Sequence, residues 1–271
     1  MTTMQPDMTG KVALIAGASR GIGAVTAQAF ARSGAAVVLA ARGKDALDAV
    51  AEGITRAGGR ALAVPTDVGD QAAVERLVQQ AMDTFGRLDA AFNNATAGPL
   101  PAPLAELDAD EFDQGIRANV RGTFLGMKYE IPALLASGGG AIVNMASLAG
   151  LQGVANLAAY VAGKTGIIGL TKVAALDYAD QGVRVNVVAP GPILTDDLKA
   201  AGEEAQRQAA RSTPMRRVGQ PEEVADAVLW LCSERAAFIT GAVLPIDGGQ
   251  SAGLKPERMY RQGQSMEPEG A

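Results

Sequence analysis

Tyr160 and Lys164 stand four positions apart in a stretch, residues 156–179, whose pattern predicts a long helix, so both side chains share one helix face. A phenol ionises near pH 10, and an ammonium beside it favours the phenolate, bringing a proton within reach of a reacting oxygen at neutral pH. Ser147 closes an apolar run at 141–146 and could hold a substrate oxygen. Asn119 falls inside a helical region, 108–135, where Asn has below-average propensity, which fits an inward-facing side chain. Taken singly, each residue also has a plainer explanation: a solvated helix face, a turn cap, an exposed amide. The chain has no histidine, which excludes Ser-His-Asp hydrolysis and most catalytic zinc sites, and no metal is expected.

Such groups need a scaffold, and residues 10–42 supply its first part. An apolar run at 12–16 stops at Gly17, Gly21 and Gly23; an alanine-rich helical run follows, Gly34 breaks it, and a second apolar run spans 36–41. Strand, tight turn, helix and strand form the βαβ unit that binds a dinucleotide. The glycines permit the turn, let backbone N–H groups approach a pyrophosphate, and let the helix pack on its strand. The pyrophosphate then meets a helix N-terminus, whose free N–H groups and dipole favour an anion. The spacing is G-x-x-x-G-x-G rather than the commoner G-x-G-x-x-G, and no Gly-Lys-Ser/Thr follows, so a P-loop is excluded.

Further apolar runs at 60–65, 88–92, 141–146, 183–189 and 242–246 alternate with helical patterns at 43–59, 74–85, 108–135, 156–179 and 221–232. Seven strands alternating with helices predict one α/β domain, a doubly wound, Rossmann-type seven-stranded parallel sheet covered on both faces. Residues 1–9 form an N-terminal extension, 10–250 the catalytic domain with a polar lid at 193–215, and 251–271 a Gly/Pro-rich tail. Ligands in such sheets bind beyond the strands' carboxyl ends, here Gly17, Ala41-Arg42, Asp67, Asn93, Ser147 and Pro190-Gly191.

Composition narrows the classes further. The chain has 271 residues, 48% of them hydrophobic but only 4% aromatic, and a net charge of −5. No basic face for nucleic acid and no apolar run of membrane-spanning length is evident. Residues 1–9 lack the basic and apolar regions of a signal peptide, and the one cysteine, Cys232, suits a reducing compartment; the expected location is the cytoplasm.

In order along the chain, Ala16-Gly17-Ala18-Ser19-Arg20-Gly21-Ile22-Gly23, Asp67-Val68, Asn93-Asn94-Ala95, Asn119, Ser147, Tyr160-x-x-x-Lys164, Pro190-Gly191 and Asp247-Gly248-Gly249 resemble the short-chain dehydrogenase/reductase family over about residues 8–250. The resemblance implies a catalytic tetrad. Tyr160 is the acid/base, Ser147 orients the carbonyl, Lys164 lowers the tyrosine pKa and binds the nicotinamide ribose, and Asn119 holds a water linking Lys164 to solvent. It also implies cofactor contacts from Gly17, Ser19, Arg20, Gly21, Ile22, Gly23, Arg42, Asp67, Val68, Asn94, Ala95, Pro190, Gly191, Ile193 and Thr195, and a homo-oligomer, dimer or tetramer, with 221–232 and 242–246 near an interface. Two positions depart from the family pattern: Ala16 replaces Thr, and Thr96 replaces Gly.

Strand 36–41 ends in Ala40, Ala41 and Arg42, without the carboxylate that commonly bonds the ribose 2′-OH of NAD, and Arg20 lies in the glycine turn. Two guanidinium groups suit a 2′-phosphate. NADP is therefore the expected cofactor, with NAD as the alternative. The expected reaction is hydride exchange with the carbonyl or secondary alcohol of a largely apolar small molecule. An acyl-carrier-linked 3-oxoacyl reductase and a catalytically silent NADP-binding regulator are the alternatives.

Overall fold

A computed structural model of the chain describes residues 6–253; positions 1–5 of the expected extension and 254–271 of the expected tail lie outside the described residues. Seven strands form one parallel sheet: β1 (Val12–Ala16), β2 (Ala36–Ala41), β3 (Arg60–Pro65), β4 (Ala90–Asn93), β5 (Gly140–Met145), β6 (Val183–Pro190) and β7 (Val243–Ile246). Their spatial order is β3-β2-β1-β4-β5-β6-β7. The chain therefore reverses direction of growth at β1, opening a crevice between β1 and β4. The strands read as continuous apolar runs because both faces are covered; every residue of β1 is buried. On one face Ile15, Val37, Leu39, Phe92 and Val143 pack with Phe30, Val224 and Val228, and on the other Leu14, Val38, Ala91 and Ile142 pack with Leu77, Met127 and Leu134.

The covering helices are α1 (Gly21–Arg32), α2 (Lys44–Arg56), α3 (Gln71–Phe85), α4 (Ala109–Ile116), α5 (Gly122–Ala136), α6 (Ala158–Tyr178), α7 (Asp196–Ala200), α8 (Gly202–Arg211) and α9 (Pro221–Cys232). Register aligns the site edge: Ala16 faces Ala40 on one side and Asn93 on the other, and Asn93 faces Asn144. Residues just past these positions emerge together at the carboxyl edge of the sheet.

Three elements differ from the sequence expectation. Strand β4 begins at Ala90, not 88, because the Leu88 N–H is taken by Ser137 Oγ at 2.9 Å. The helical region 108–135 is two helices joined by a five-residue π-helical turn, Arg117–Arg121, with Asn119 at its centre. The polar lid 193–215 contains α7 and α8, which bury none of their residues and so carry no apolar stripe to read.

Candidate active site

The cradle for a dinucleotide follows β1. Gly17 has φ +77°, and a Cβ there would lie 2.8 Å from the Ala95 nitrogen. A Cβ on Gly23 would lie 2.1 Å from the Gly17 oxygen. Only glycine allows this packing of turn, helix and the loop after β4. Asn94 Nδ2 donates to the Gly17 oxygen at 3.1 Å, fastening that loop to the turn. Helix α1 starts from an extended Arg20 with no side-chain cap and no acidic residue in its first turn. Its first N–H groups thus face the crevice with positive partial charge and no competing carboxylate, a fit for a pyrophosphate. Ser19 lies in the same turn and Ile22 in the first turn of α1.

At the end of β2, Arg42 is exposed. Arg20 is committed elsewhere: its Nη1 lies 2.6 Å from Asp197 Oδ1 on α7. Asp67, after β3, accepts from the Gly69 N–H at 2.9 Å and from Arg117 Nη2 at 2.9 Å. Burial pushes its pKa up, but those bonds, the Arg117 charge and nearby Arg42 outweigh burial and hold it below the usual value. Val68 packs against Gly122, where a Cβ would lie 2.9 Å from its Cγ2. Across the crevice, Pro190 ends β6, the Gly191 N–H donates to the Ile246 oxygen at 3.1 Å, Ile193 is buried beneath Gly219, and Thr195 precedes α7.

The four candidate catalytic residues converge from three elements. Ser147 follows β5 in extended conformation, and its Oγ accepts from the Ala149 N–H at 3.2 Å. Tyr160, in the first turn of α6, interacts with the Ser147 side chain. One turn on, the Lys164 Nζ lies 5.5 Å from the Tyr160 ring centroid and donates to the Met145 oxygen at 3.0 Å. Lys164 is 1% exposed, and burial lowers its pKa from 10.5 to about 7. Burial raises the Tyr160 pKa above 10.0, opposed by the Ser147 bond. The sequence expectation was a phenol made more acidic by its lysine. The opposite direction prevails, because desolvation acts on both groups and leaves a lysine that is only partly charged near neutrality.

Asn119 is fully buried. Its Nδ2 donates to the Ala97 oxygen at 2.6 Å and the Gly115 oxygen at 2.9 Å, and its Oδ1 accepts from Thr96 Oγ1 at 2.8 Å. Both amide hydrogens are thus spent on protein carbonyls. Leu100 and Leu104 after β4, Leu151 and Val154 before α6, and Met215 in the lid are all exposed. The Ala102 N–H bonds the Asn156 oxygen at 3.0 Å, joining the first two of these segments.

One polar group escaped the sequence reading. Glu130, on α5, is 1% exposed, and its Oε2 accepts from Asn93 Nδ2 at 2.9 Å. Asn93 also donates to Asn144 Oδ1 at 3.0 Å, and Asn144 to Thr171 Oγ1 at 2.9 Å. Burial, against the Asn93 bond, lifts the Glu130 pKa from 4.5 to about 7. The only sequence signal was an Asn at the inner end of each of two apolar strands. Among the described residues no group of three or more Cys, Asp or Glu is placed to hold a metal ion, and no helix is long and apolar enough to cross a membrane.

This arrangement matches known proteins over most of its length. Residues 17–251 match the family model described as enoyl-(acyl carrier protein) reductase. The chain is 43% identical to an A-factor type γ-butyrolactone 1′-reductase (1S-forming) of Streptomyces virginiae, over 92% of this chain and 98% of that protein. It is equally 43% identical to a cyclohexanol dehydrogenase of Acinetobacter sp. (strain SE19), again over 92% and 98%. The crystal structure of a levodione reductase superposes with a TM-score of 0.88 at 34% identity, covering 91% of this chain and all of that one. A glycine turn under an uncapped helix, and a Tyr-x-x-x-Lys helix docked on the strand that ends in Ser147, thus recur with the family's sequence: the chain belongs to the short-chain dehydrogenases/reductases, oxidoreductases that move hydride between a nicotinamide cofactor and the carbonyl or alcohol carbon of a small molecule.

Proposed function

We propose that the protein is an NADP(H)-dependent reductase of cyclic ketones, and dehydrogenase of the corresponding secondary alcohols, acting through Tyr160, Ser147, Lys164 and Asn119. The observation that carries the reading is the buried Lys164 amine, held by the Met145 oxygen at 3.0 Å and 5.5 Å from the centre of the Tyr160 ring. In reduction, the Tyr160 O–H donates its proton to the carbonyl oxygen while the Ser147 O–H donates a hydrogen bond to the same oxygen, stabilising the charge that develops there. A bound nicotinamide supplies or accepts the hydride. Lys164 holds its amine beneath the phenol, and its charged form favours the phenolate that alcohol oxidation requires. The Tyr160 and Lys164 side chains, with Asn94 and the glycine turn, would hold the nicotinamide half. Arg42 would hold the 2′-phosphate, and Arg20 would join it only on leaving Asp197.

A ring-shaped substrate is supported by relatives whose names denote a lactone ring and cyclohexanol, and the exposed Leu100, Leu104, Leu151 and Val154 suit an apolar one. The acyl-carrier alternative receives no support at Gln181, which is uncharged and exposed where a basic residue would meet an acidic carrier. We further propose a cytoplasmic homo-oligomer in which a second copy covers the exposed Phe124, Val173 and Leu176 of α5 and α6. Helix α9 and strand β7 are the other expected interface elements.

The test is oxidation of NADPH and of NADH, followed by absorbance, with cyclohexanone and with a 3-oxoacyl thioester, alongside sedimentation. Cyclohexanone turnover with a clear preference for NADPH is expected. Equal kcat/KM for the two cofactors would overturn the NADP reading, preference for the thioester the substrate reading, and a stable monomer at micromolar concentration the oligomer reading.

A further inference from the structure

The loop after β4 touches both halves of the site. At its start Asn94 bonds the Gly17 oxygen, and Ala95 fills the space where Gly17 has no Cβ. At its end Thr96 Oγ1 and the Ala97 oxygen engage the Asn119 carboxamide, at 2.8 and 2.6 Å. Asn119 in turn backs onto the catalytic helix. A Cβ on Gly163, between Tyr160 and Lys164, would lie 2.9 Å from the Asn119 Cβ, and a Cβ on Gly115 would lie 2.9 Å from the Ala159 Cβ. Small residues thus let the π-helical turn press directly on the segment that carries the phenol and the amine. Asn119 has no freedom to drift, because each of its amide hydrogens and its oxygen has a protein partner. Of these partners only Thr96 is a side chain, and it stands where the family pattern has a glycine that could offer nothing.

We propose that Thr96 is a positioning residue: its hydroxyl locks the Asn119 carboxamide, making residues 94–97 a strut that sets the glycine turn and the Tyr160/Lys164 helix in register. Removal of the hydroxyl leaves Asn119 Oδ1 as a buried acceptor without its donor. The loop and the π-helical turn then relax independently, and the phenol loses alignment with the carbon above the cradle. Such misalignment lowers the rate of the chemical step more than it lowers binding, because only the transition state requires the exact geometry. The inference rests on the reading of Tyr160 and Lys164 as the reacting pair.

Thr96→Val, Thr96→Ser and Thr96→Gly test it. Two measurements are made on each: kcat and KM for cyclohexanone reduction, and hydrogen exchange of the cofactor-free protein at residues 94–97, 115–122 and 158–165. Thr96→Val keeps the shape and removes the donor; its kcat is expected to fall about tenfold, with KM within about twofold and faster exchange in all three segments. Thr96→Gly removes the hydroxyl without adding bulk and should behave like it. Thr96→Ser keeps the donor and should restore both readouts. Wild-type kcat and exchange in Thr96→Val or Thr96→Gly would overturn the proposal, as would a Thr96→Ser variant as impaired as Thr96→Val. If the wild type reduced no ketone, the reading of the active site would fail, and exchange alone would still decide whether Thr96 braces the strut.

Discussion

The Lys164 amine donates to the main-chain oxygen of Met145 at 3.0 Å, tying α6 to the strand two residues before Ser147. The bond spans 19 residues and is made in the core of the sheet, so it fixes the spacing between Ser147 and Tyr160 as well as the amine itself. Lys164→Met should therefore lose more than the ammonium charge. Turnover should fall by at least about a hundredfold, as expected for a proton-transfer site, and dinucleotide affinity should weaken in calorimetry. The Met145 carbonyl left without its donor should also lower the thermal midpoint.

Proton transfer gives a second expectation. Burial raises the Tyr160 pKa and the Ser147 bond lowers it. Alcohol oxidation needs the phenolate, so its rate should climb with pH through neutrality and into the alkaline range. Ser147→Ala removes the opposing bond, and the alkaline limb of the kcat/KM profile should then move to higher pH. Tyr160→Phe should abolish turnover while leaving folding and dinucleotide binding intact. A Ser147→Ala profile superimposable on the wild type would separate that hydroxyl from the phenol's ionisation.

Glu130 predicts a stability profile. Its pKa in the folded chain is about 7 against an ordinary 4.5, so the folded state binds the proton more tightly than the unfolded one. The stability linked to this group is complete below about pH 4.5 and is lost as pH rises to about 7. Glu130→Gln keeps the hydrogen-bonding shape and cannot ionise. Urea unfolding across this range should show a decline in the wild type, on the order of 3 kcal/mol at most, that is absent from Glu130→Gln.

The cofactor preference can be moved from two sides. Arg20 and Asp197 are mostly exposed, so their ion pair is worth no more than about 1 kcal/mol. Asp197→Asn should free Arg20 and tighten NADPH a few-fold while leaving NADH unchanged. Ala41→Asp combined with Arg42→Ala places a carboxylate at the end of β2 and removes a cation, and should turn the preference toward NADH. Dissociation constants for both dinucleotides check both statements.

What could be read from the sequence was local. The strands were legible because a doubly covered parallel sheet demands unbroken apolar runs such as Val37–Val38–Leu39, and the family because its motifs keep a fixed order along the chain. What escaped was carried by distance or by geometry without a residue signature. Arg20 meets Asp197 across 177 positions and Asn93 meets Glu130 across 37. The π-helical turn changes the hydrogen-bond period within a stretch that otherwise reads as one helix, and nothing in Arg117–Arg121 marks it. Thr96 was legible as a departure from the family's glycine, but its bond to Asn119 was not.

The strand order also governs how the molecule is made. Strand β1 is flanked by β2, close in sequence, and by β4, and Asp89 just before β4 accepts from the Val12 N–H across 77 residues. That carboxylate is 6% exposed and is paired with Arg87 and Lys11. A nascent chain that has emerged only through β3 has one side of β1 open, no Asn94 to fasten Gly17, and no floor to the crevice. The nucleotide cradle is thus closed by a contact of high sequence separation, paid for in loop entropy before it returns anything. Affinity for a dinucleotide should arise late in refolding, so that added NADPH slows unfolding of the finished protein and leaves the rate of folding unchanged.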